Sequence, residues 1–570
     1  MQLQQTILRD QTASFELPLG KMSFFDNFYV DYQFQDTGTY QRYQLTIHPK
    51  EDFVLQELKL VFSQTMQPSD SVFCNGFQSA SESRIFNFQE QKNWRDRLTQ
   101  WLRPTEESIY LKALQPAKAQ LQSWTYAYLP QGKQVQFIGS LQEQTGFTLI
   151  EFDPTQNQIV VRKDCAGLQL SHSFKILDLL VFKGKQEAAF QQFFSLQEIQ
   201  PLPERSWIGW TSSSHSPNHT AAYLLKNLEA LQKRELTLDF VQFSYGYQQA
   251  IGDWLDIQDK FPDGLSPLVS NIQAIGSKAS ICFAPFVCEA KSKLFQQRKT
   301  WLLKDDQGNF VTITQPSLSP EKLYVLDFYQ EDFQQHLTGI CYTFLSKWGF
   351  ECLHFDLLYA VCLHPRPNKT RGQIMSEAVK FLQAQVGEQL SWADAVPLGA
   401  CFGKVDFCNL GGRQLAHWSI NWREKLLSPS ADHTLITLRN YFSRWAIGNK
   451  AFLSATPPLS LIDHQNPILS QQQTTLLTIQ CLLSPLWHLD DDLSGYSVEQ
   501  WAEFEGALQW RNAKVEKIAI IAADIYTIAF KKENQTYLAV CNLNPTAKQV
   551  NLKSLQLDLE ACESLILQIK

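Results

Sequence analysis

Three stretches of contrasting pattern along the 570-residue chain predict a multidomain α/β and β protein. Short apolar–polar alternations fill the first part, apolar runs separated by helical stretches fill the middle, and alternation returns at the end. The architecture they imply is a central (β/α)8 TIM barrel with an N-terminal β-sandwich and a small C-terminal antiparallel β domain. The expected boundaries are 1–200, 201–510 and 511–570.

In the first part, DFVLQELKLVFSQ, KQVQFIGSLQ, TGFTLIEFDPTQNQIVVRKD and HSFKILDLLVFKG place apolar residues at every second position between turn residues. That is the period of half-buried strands, and several such runs at short spacing suggest packed sheets. KQEAAFQQFFSLQEIQ reads as an amphipathic helix leading into the Pro-bearing linker PLPERS. Beyond it LDFVQFSY, ASICFAPF, YVLDF and CLHFDLLYA alternate with helical stretches such as SPLVSNIQAIG and SEAVKFLQAQVG. This is the βαβ grammar of parallel strands, and no strand is followed by a Gly-rich phosphate fingerprint. KIAIIAADIYTIAFKKENQTYLAVCNLN then returns to strand alternation.

Composition narrows the function. With 50 Lys and Arg against 57 Asp and Glu, the net charge is −7, which argues against a general nucleic-acid binder. No apolar run approaches the ~20 residues that span a bilayer, so no membrane association is expected. The opening MQLQQTILRDQTASFELP lacks the basic-then-apolar order of a secretory signal, and the twelve cysteines form no CxxC pair. Reduced core thiols and a cytoplasmic location are the expectation. No cofactor or metal is implied: Asp305-Asp306-Gln307-Gly308 reads as a turn, and Asp490-Asp491-Asp492 reads as a helix start.

Barrels carry their working groups at the C-terminal ends of the strands. Polar residues closing apolar runs are Ser244, Tyr245, Asp327, His354, Asp356, Asp394, Asp406, His488 and Asp490. Asp356 stands out because it ends a strand between two aromatic-containing apolar stretches. Trp210, Tyr245, Tyr247, Trp254, Trp418 and Trp422 are aromatics able to stack on a sugar ring.

Several of these segments resemble glycoside hydrolase family 36, the melibiase-type α-galactosidases. Tyr245-Gly246-Tyr247-Gln248 through Gly252-Asp253-Trp254 and Phe261-Pro262-Asp263-Gly264 is similar to the family's DDGYQ…GDW…FP-G stretch. Ala284-Pro285-Phe286, Ser292-Lys293-Leu294-Phe295 and Leu326-Asp327 resemble the stretches that follow it. Trp348-Gly349-Phe350 through Phe355-Asp356 and Tyr359-Ala360 resembles the nucleophile strand, and Asn75-Gly76-Phe77-Gln78-Ser79 resembles an NGYQSW element near the N-terminus. Pro397-Leu398-Gly399 to Asp406 and Asp491 to Ser494 match two further stretches. The resemblance is collinear over nearly the whole chain. It implies a retaining mechanism, in which one carboxylate attacks the anomeric carbon and a second, about 5–5.5 Å away, protonates the leaving oxygen.

Departures from that pattern set the functional expectation. Asp356 falls on the nucleophile position, but Arg413 stands where the acid/base carboxylate belongs, and a guanidinium does not donate a proton at neutral pH. Ser244 and Tyr245 replace paired aspartates that would hold galactose hydroxyls, His354 replaces a Lys, and Asn409 replaces an Arg. Ser454-Ala455-Thr456-Pro457 replaces an NDPD stretch. Ala395 and Ser280 stand where the related motifs carry Gly. Tyr247, Asp253, Trp254, Trp418 and Asp490 complete the substrate-binding positions that the resemblance implies. The first expectation is therefore a carbohydrate-binding relative without ordinary α-galactosidase turnover. The alternative is a glycosidase or transglycosidase of altered specificity, with Asp356 as nucleophile and Asp394 or Asp490 as a relocated acid. A homo-oligomer is expected by analogy only.

Overall fold

The computed structural model describes residues 1–569 apart from 90–120, 201, 203–204, 213–218, 316–317, 413–432, 457, 462–469 and 553–554. Its centre is a closed barrel of eight parallel strands. In chain order they are β1 (Trp207–Ser212), β2 (Phe240–Phe243), β3 (Lys278–Phe283), β4 (Cys352–Phe355), β5 (Leu390–Ala393), β6 (Phe407–Asn409), β7 (Leu453–Ala455) and β8 (Leu486–Leu489). Each pairs with the next, and β8 closes on β1 through Trp207↔Leu486 to Trp210↔Leu489.

Side chains at every second position fill the interior, so the barrel is a packed core rather than a channel. Trp207, Phe240, Cys352, Trp392, Phe407, Leu453 and Leu486 form its floor. Burying side chains of this size stabilises by roughly 1.5–3 kcal/mol each. Gly209 is required there, because a Cβ at that position would lie 2.3 Å from the Phe240 ring.

Preceding the barrel are two antiparallel sheets of seven and eight strands. Their inward residues, among them Leu55, Leu60, Val30, Leu45 and Leu179, meet in one buried cluster. The expected alternation is plain in Tyr40–Pro49, where Tyr43, Leu45 and Ile47 are buried between partly exposed polar neighbours. Helix α1 (Gln186–Ser195) follows and buries Ala189, Phe190, Phe193 and Phe194. Phe190 and Phe193 set their ring edges against Phe137 at 5.3 Å. After the barrel come a four-stranded antiparallel sheet, Lys514–Ala522 to Ser564–Ile569, and a two-stranded hairpin.

Three details differ from the sequence reading. The YVLDF run is not a barrel strand: Lys322–Val325 is the middle of a three-stranded antiparallel sheet inserted between β3 and β4. Asp327 consequently lies away from the barrel, where its carboxylate accepts from the Tyr329 N–H at 3.0 Å and from Arg366. Asp406 sits at the start of β6, not its end, and binds the Ser391 N–H and hydroxyl at 2.8 and 2.7 Å. Asp492 opens only a 3-10 turn, Leu493–Gly495, accepting from the Ser494 N–H at 3.2 Å, and the α-helix beyond it is opened by Ser497 through a capping box with Gln500. All twelve cysteines are buried and none forms a disulfide. Among the described residues no helix is long and apolar enough to cross a membrane.

Candidate active site at the barrel mouth

The register of β4 against β5 pairs Phe355 with Ala393, so Asp356 and Asp394 leave the barrel side by side. Both strands break in the same way. Leu357 and Ala395 adopt left-handed backbone, at φ +53 and +46°, a conformation that side chains other than Gly adopt at a cost. In each case the aspartate Oδ1 accepts the N–H of its strained neighbour at 2.6 Å. The two turns aim two carboxylates at the same end of the barrel. Strained backbone of this kind gathers at functional sites.

Their surroundings diverge from there. The Tyr245 hydroxyl donates to Asp356 Oδ2 at 2.8 Å. Asp394 is tied from three sides: Asn409 Nδ2 donates to its Oδ2, Ser79 Oγ donates to its Oδ1 at 3.4 Å, and His354 Nε2 lies 3.9 Å from Oδ2. Burial raises the Asp356 carboxyl above the ordinary range, against the lowering effect of the Tyr245 hydroxyl. Burial, and after it the Asp356 charge, pushes Asp394 up to about 8.

Beneath these groups lies a chain of contacts that fixes them. Gln242 Nε2 donates to His354 Nδ1 at 2.8 Å, which makes Nδ1 the acceptor and leaves the proton on Nε2, facing Asp394. Burial holds His354 well below its ordinary pKa, so the ring is neutral. It stacks on Trp392 at 4.0 Å between ring centroids, and Trp392 Nε1 donates to Asn409 Oδ1 at 3.0 Å. Gln242 was not singled out by the sequence, although it is the inward β2 position two before Ser244.

Ser79 reaches the site from the N-terminal sheets on a loop held by Arg444 of helix α2 (His433–Gly448). The buried Arg444 guanidinium donates to Ser79 O at 2.7 Å, Asn75 Oδ1 at 3.0 Å, Gln78 O at 3.1 Å, Leu410 O at 3.2 Å and Gly76 O at 3.3 Å. Sequence inspection missed Arg444 as well, because nothing local marks a helical Arg as buried.

The other expected site residues scatter. Ser244 is at the mouth, its N–H donating to Ser212 Oγ at 3.1 Å. Tyr247 is fully buried with its hydroxyl on Cys282 O at 3.3 Å, and Trp254 is fully buried against Phe283. Neither faces the mouth as a sugar platform would. Asp253 instead caps the short helix Lys293–Gln297, accepting from Lys293 N at 2.8 Å. Trp210 is core, with Nε1 on Asp491 O at 2.8 Å. Asp490 ends β8, four strands round from β4, and accepts from Ser460 Oγ. Arg413, Trp418, Trp422 and Pro457 lie outside the described residues. Among the described residues no group of three or more His, Cys, Asp or Glu is placed to hold a metal ion.

Comparison with known proteins agrees with this fold. Residues 243–383 match the family model described as Melibiase, a segment that includes Tyr245 and Asp356 but ends before Asp394. A stretch of 115 residues is 26% identical to an α-galactosidase of Escherichia coli, covering 19% of this chain and 16% of that relative's length. The fold is similar to α-galactosidase of Thermus thermophilus in complex with p-nitrophenyl α-D-galactopyranoside, with a TM-score of 0.67 and 19% identity over 89% of this chain and 98% of that one. It is also similar to the family 36 α-galactosidase AgaA of Geobacillus stearothermophilus, with a TM-score of 0.63 and 10% identity over 95% of this chain and 80% of that one. Residues 243–383 are thus similar to the Melibiase family, and the fold as a whole is similar to that of family 36 α-galactosidases.

Proposed function

We propose that the chain binds a carbohydrate at the barrel mouth without ordinary retaining α-galactosidase turnover. The observation that carries this reading is the Tyr245 hydroxyl on Asp356 Oδ2 at 2.8 Å. Retaining hydrolysis needs a carboxylate oxygen free to attack the anomeric carbon and a second carboxyl free to protonate the leaving oxygen. Here both Asp356 oxygens already hold protein donors, from Tyr245 and from the Leu357 N–H. Both Asp394 oxygens accept protein donors too. Arg413 at the acid/base position, carried over from the resemblance, supplies no proton. In the same reading residues 1–200 and 511–570 flank the barrel as separate domains, and the reduced thiols suit a cytoplasmic protein.

One observation favours the second reading. Asp394, pushed up to about 8, is protonated at neutral pH beside Asp356, as a relocated general acid would be. Asp490, four strands away, is the weaker choice.

A screen of aryl α- and β-glycosides, run with ligand-induced thermal shifts, decides between them. The first reading expects galactose-type ligands to raise the melting temperature in both the wild type and Asp356→Ala, with no turnover. Turnover that disappears in Asp356→Ala establishes the second reading and removes the first.

A further inference from the structure

A cavity of about 370 Å³ lies between the N-terminal sheets, the end of α1 and the barrel helix Arg371–Val386, and shares no lining residue with the Asp356 site. Its size is within the range of small-molecule sites, about 300–1,000 Å³. Lys175, Lys380 and Lys404 line it, against the carboxylates of Asp178 and Glu198. Asp178 is already neutralised: Arg42 grips both its oxygens at 2.8 Å, and Lys175 adds a third contact at 2.6 Å. That leaves an excess of positive charge facing the cavity.

Lys404 has the most telling surroundings. Its ammonium donates to Ser376 Oγ and Ala400 O, both at 3.0 Å, two neutral acceptors that do not balance its charge. Burial, with Lys380 nearby, pushes it down to about 8, the signature of a desolvated ammonium without a counter-ion. On the opposite wall, Gln142 donates from Nε2 to Lys175 O at 3.2 Å, while its buried Oε1 has no hydrogen-bond partner. A wall of ammonium groups asks for an anion, and an orphaned amide oxygen asks for a hydroxyl donor.

We infer that this cavity is a second binding site for an acidic monosaccharide, its phosphate or carboxylate held by Lys404 and Lys380 and a ring hydroxyl donating to Gln142 Oε1. It is separate from the barrel mouth.

Isothermal titration calorimetry on the full chain tests this with galactose 6-phosphate, galacturonate, inorganic phosphate and neutral galactose. At least one acidic sugar is expected to bind, and more tightly than inorganic phosphate. Lys404→Met should weaken it at least tenfold, and so should Lys380→Glu, an exposed change that leaves the fold intact. Gln142→Leu should weaken the acidic sugar but not inorganic phosphate. Asp356→Ala should change none of these values, which keeps the test apart from that of the barrel mouth. Absence of binding by both acidic sugars at 10 mM on the order of the weakest useful affinity, or binding that survives Lys380→Glu unchanged, would overturn the assignment. Inorganic phosphate binding as tightly as galactose 6-phosphate would overturn its sugar part.

Discussion

The ends of β4 and β5 make the same turn for different ends. Each places an aspartate beside a left-handed residue and closes an Oδ1 contact of 2.6 Å to the next N–H. Asp356 then meets one side chain, the Tyr245 phenol from the loop after β2. Asp394 is stitched to Asn409, Ala395 and Ser79, and through Ser79 to a loop more than three hundred residues earlier in the chain. The contrast teaches that adjacency alone does not make a catalytic pair. One carboxylate is capped at a site and the other is part of the joint between two regions.

The largest effect should come from breaking that joint. Arg444→Met strips a donor from five acceptors in the 75–79 loop and at Leu410, and should destabilise the chain by roughly 3–5 kcal/mol, read by chemical denaturation. The next test uses pH. Asp394 titrates near 8 in the folded chain against an ordinary 3.8, so between those values the folded state holds the extra proton. Its contribution to stability is therefore present at acid pH and lost as pH rises from about 4 to 8. Asp394→Asn should remove that decline, so its melting temperature should gain on the wild type with rising pH. A gap that stays constant across the window would show that Asp394 is ionised throughout.

Two smaller changes probe the β4 side and the shared turn. Tyr245→Phe leaves Asp356 Oδ2 without its donor and should cost about 1–2 kcal/mol, while raising the Asp356 carboxyl further. Ala395→Gly relieves the positive φ and should stabilise by about 1 kcal/mol. The same gain measured for an Ala→Gly change in a regular helix would disprove the strain account, since there Gly is the poorer residue.

Much of this was legible from pattern. Apolar runs ending in Asp356 and Asp394 marked barrel strands, because a parallel strand buried on both faces reads as a short continuous apolar run. Motif spacing marked the Asn75–Ser79 loop without saying what it touches. YVLDF misled because a short apolar run reads alike in a parallel barrel and in an inserted antiparallel sheet. Tyr247 and Trp254 looked like sugar platforms, yet an aromatic in a core and one in a cleft carry the same letter. Gln242 and Arg444 were invisible for the converse reason: their importance lies in what surrounds them, and polar residues on strands and helices are usually solvated.

The Arg444 clamp also bears on how the molecule is made. Its contact with Asn75 joins residues 369 positions apart. At a synthesis rate of about 5–20 residues per second, the early loop waits on the order of 20–70 s for the arginine that holds it to be added to the chain. Until then the Asn75–Ser79 segment is held only by earlier partners such as Ser123 and Trp124, and Ser79 lacks the clamp that seats it beside Asp394. The final seating of this site is thus a late event in biosynthesis, timed by a residue that contacts neither aspartate of the pair.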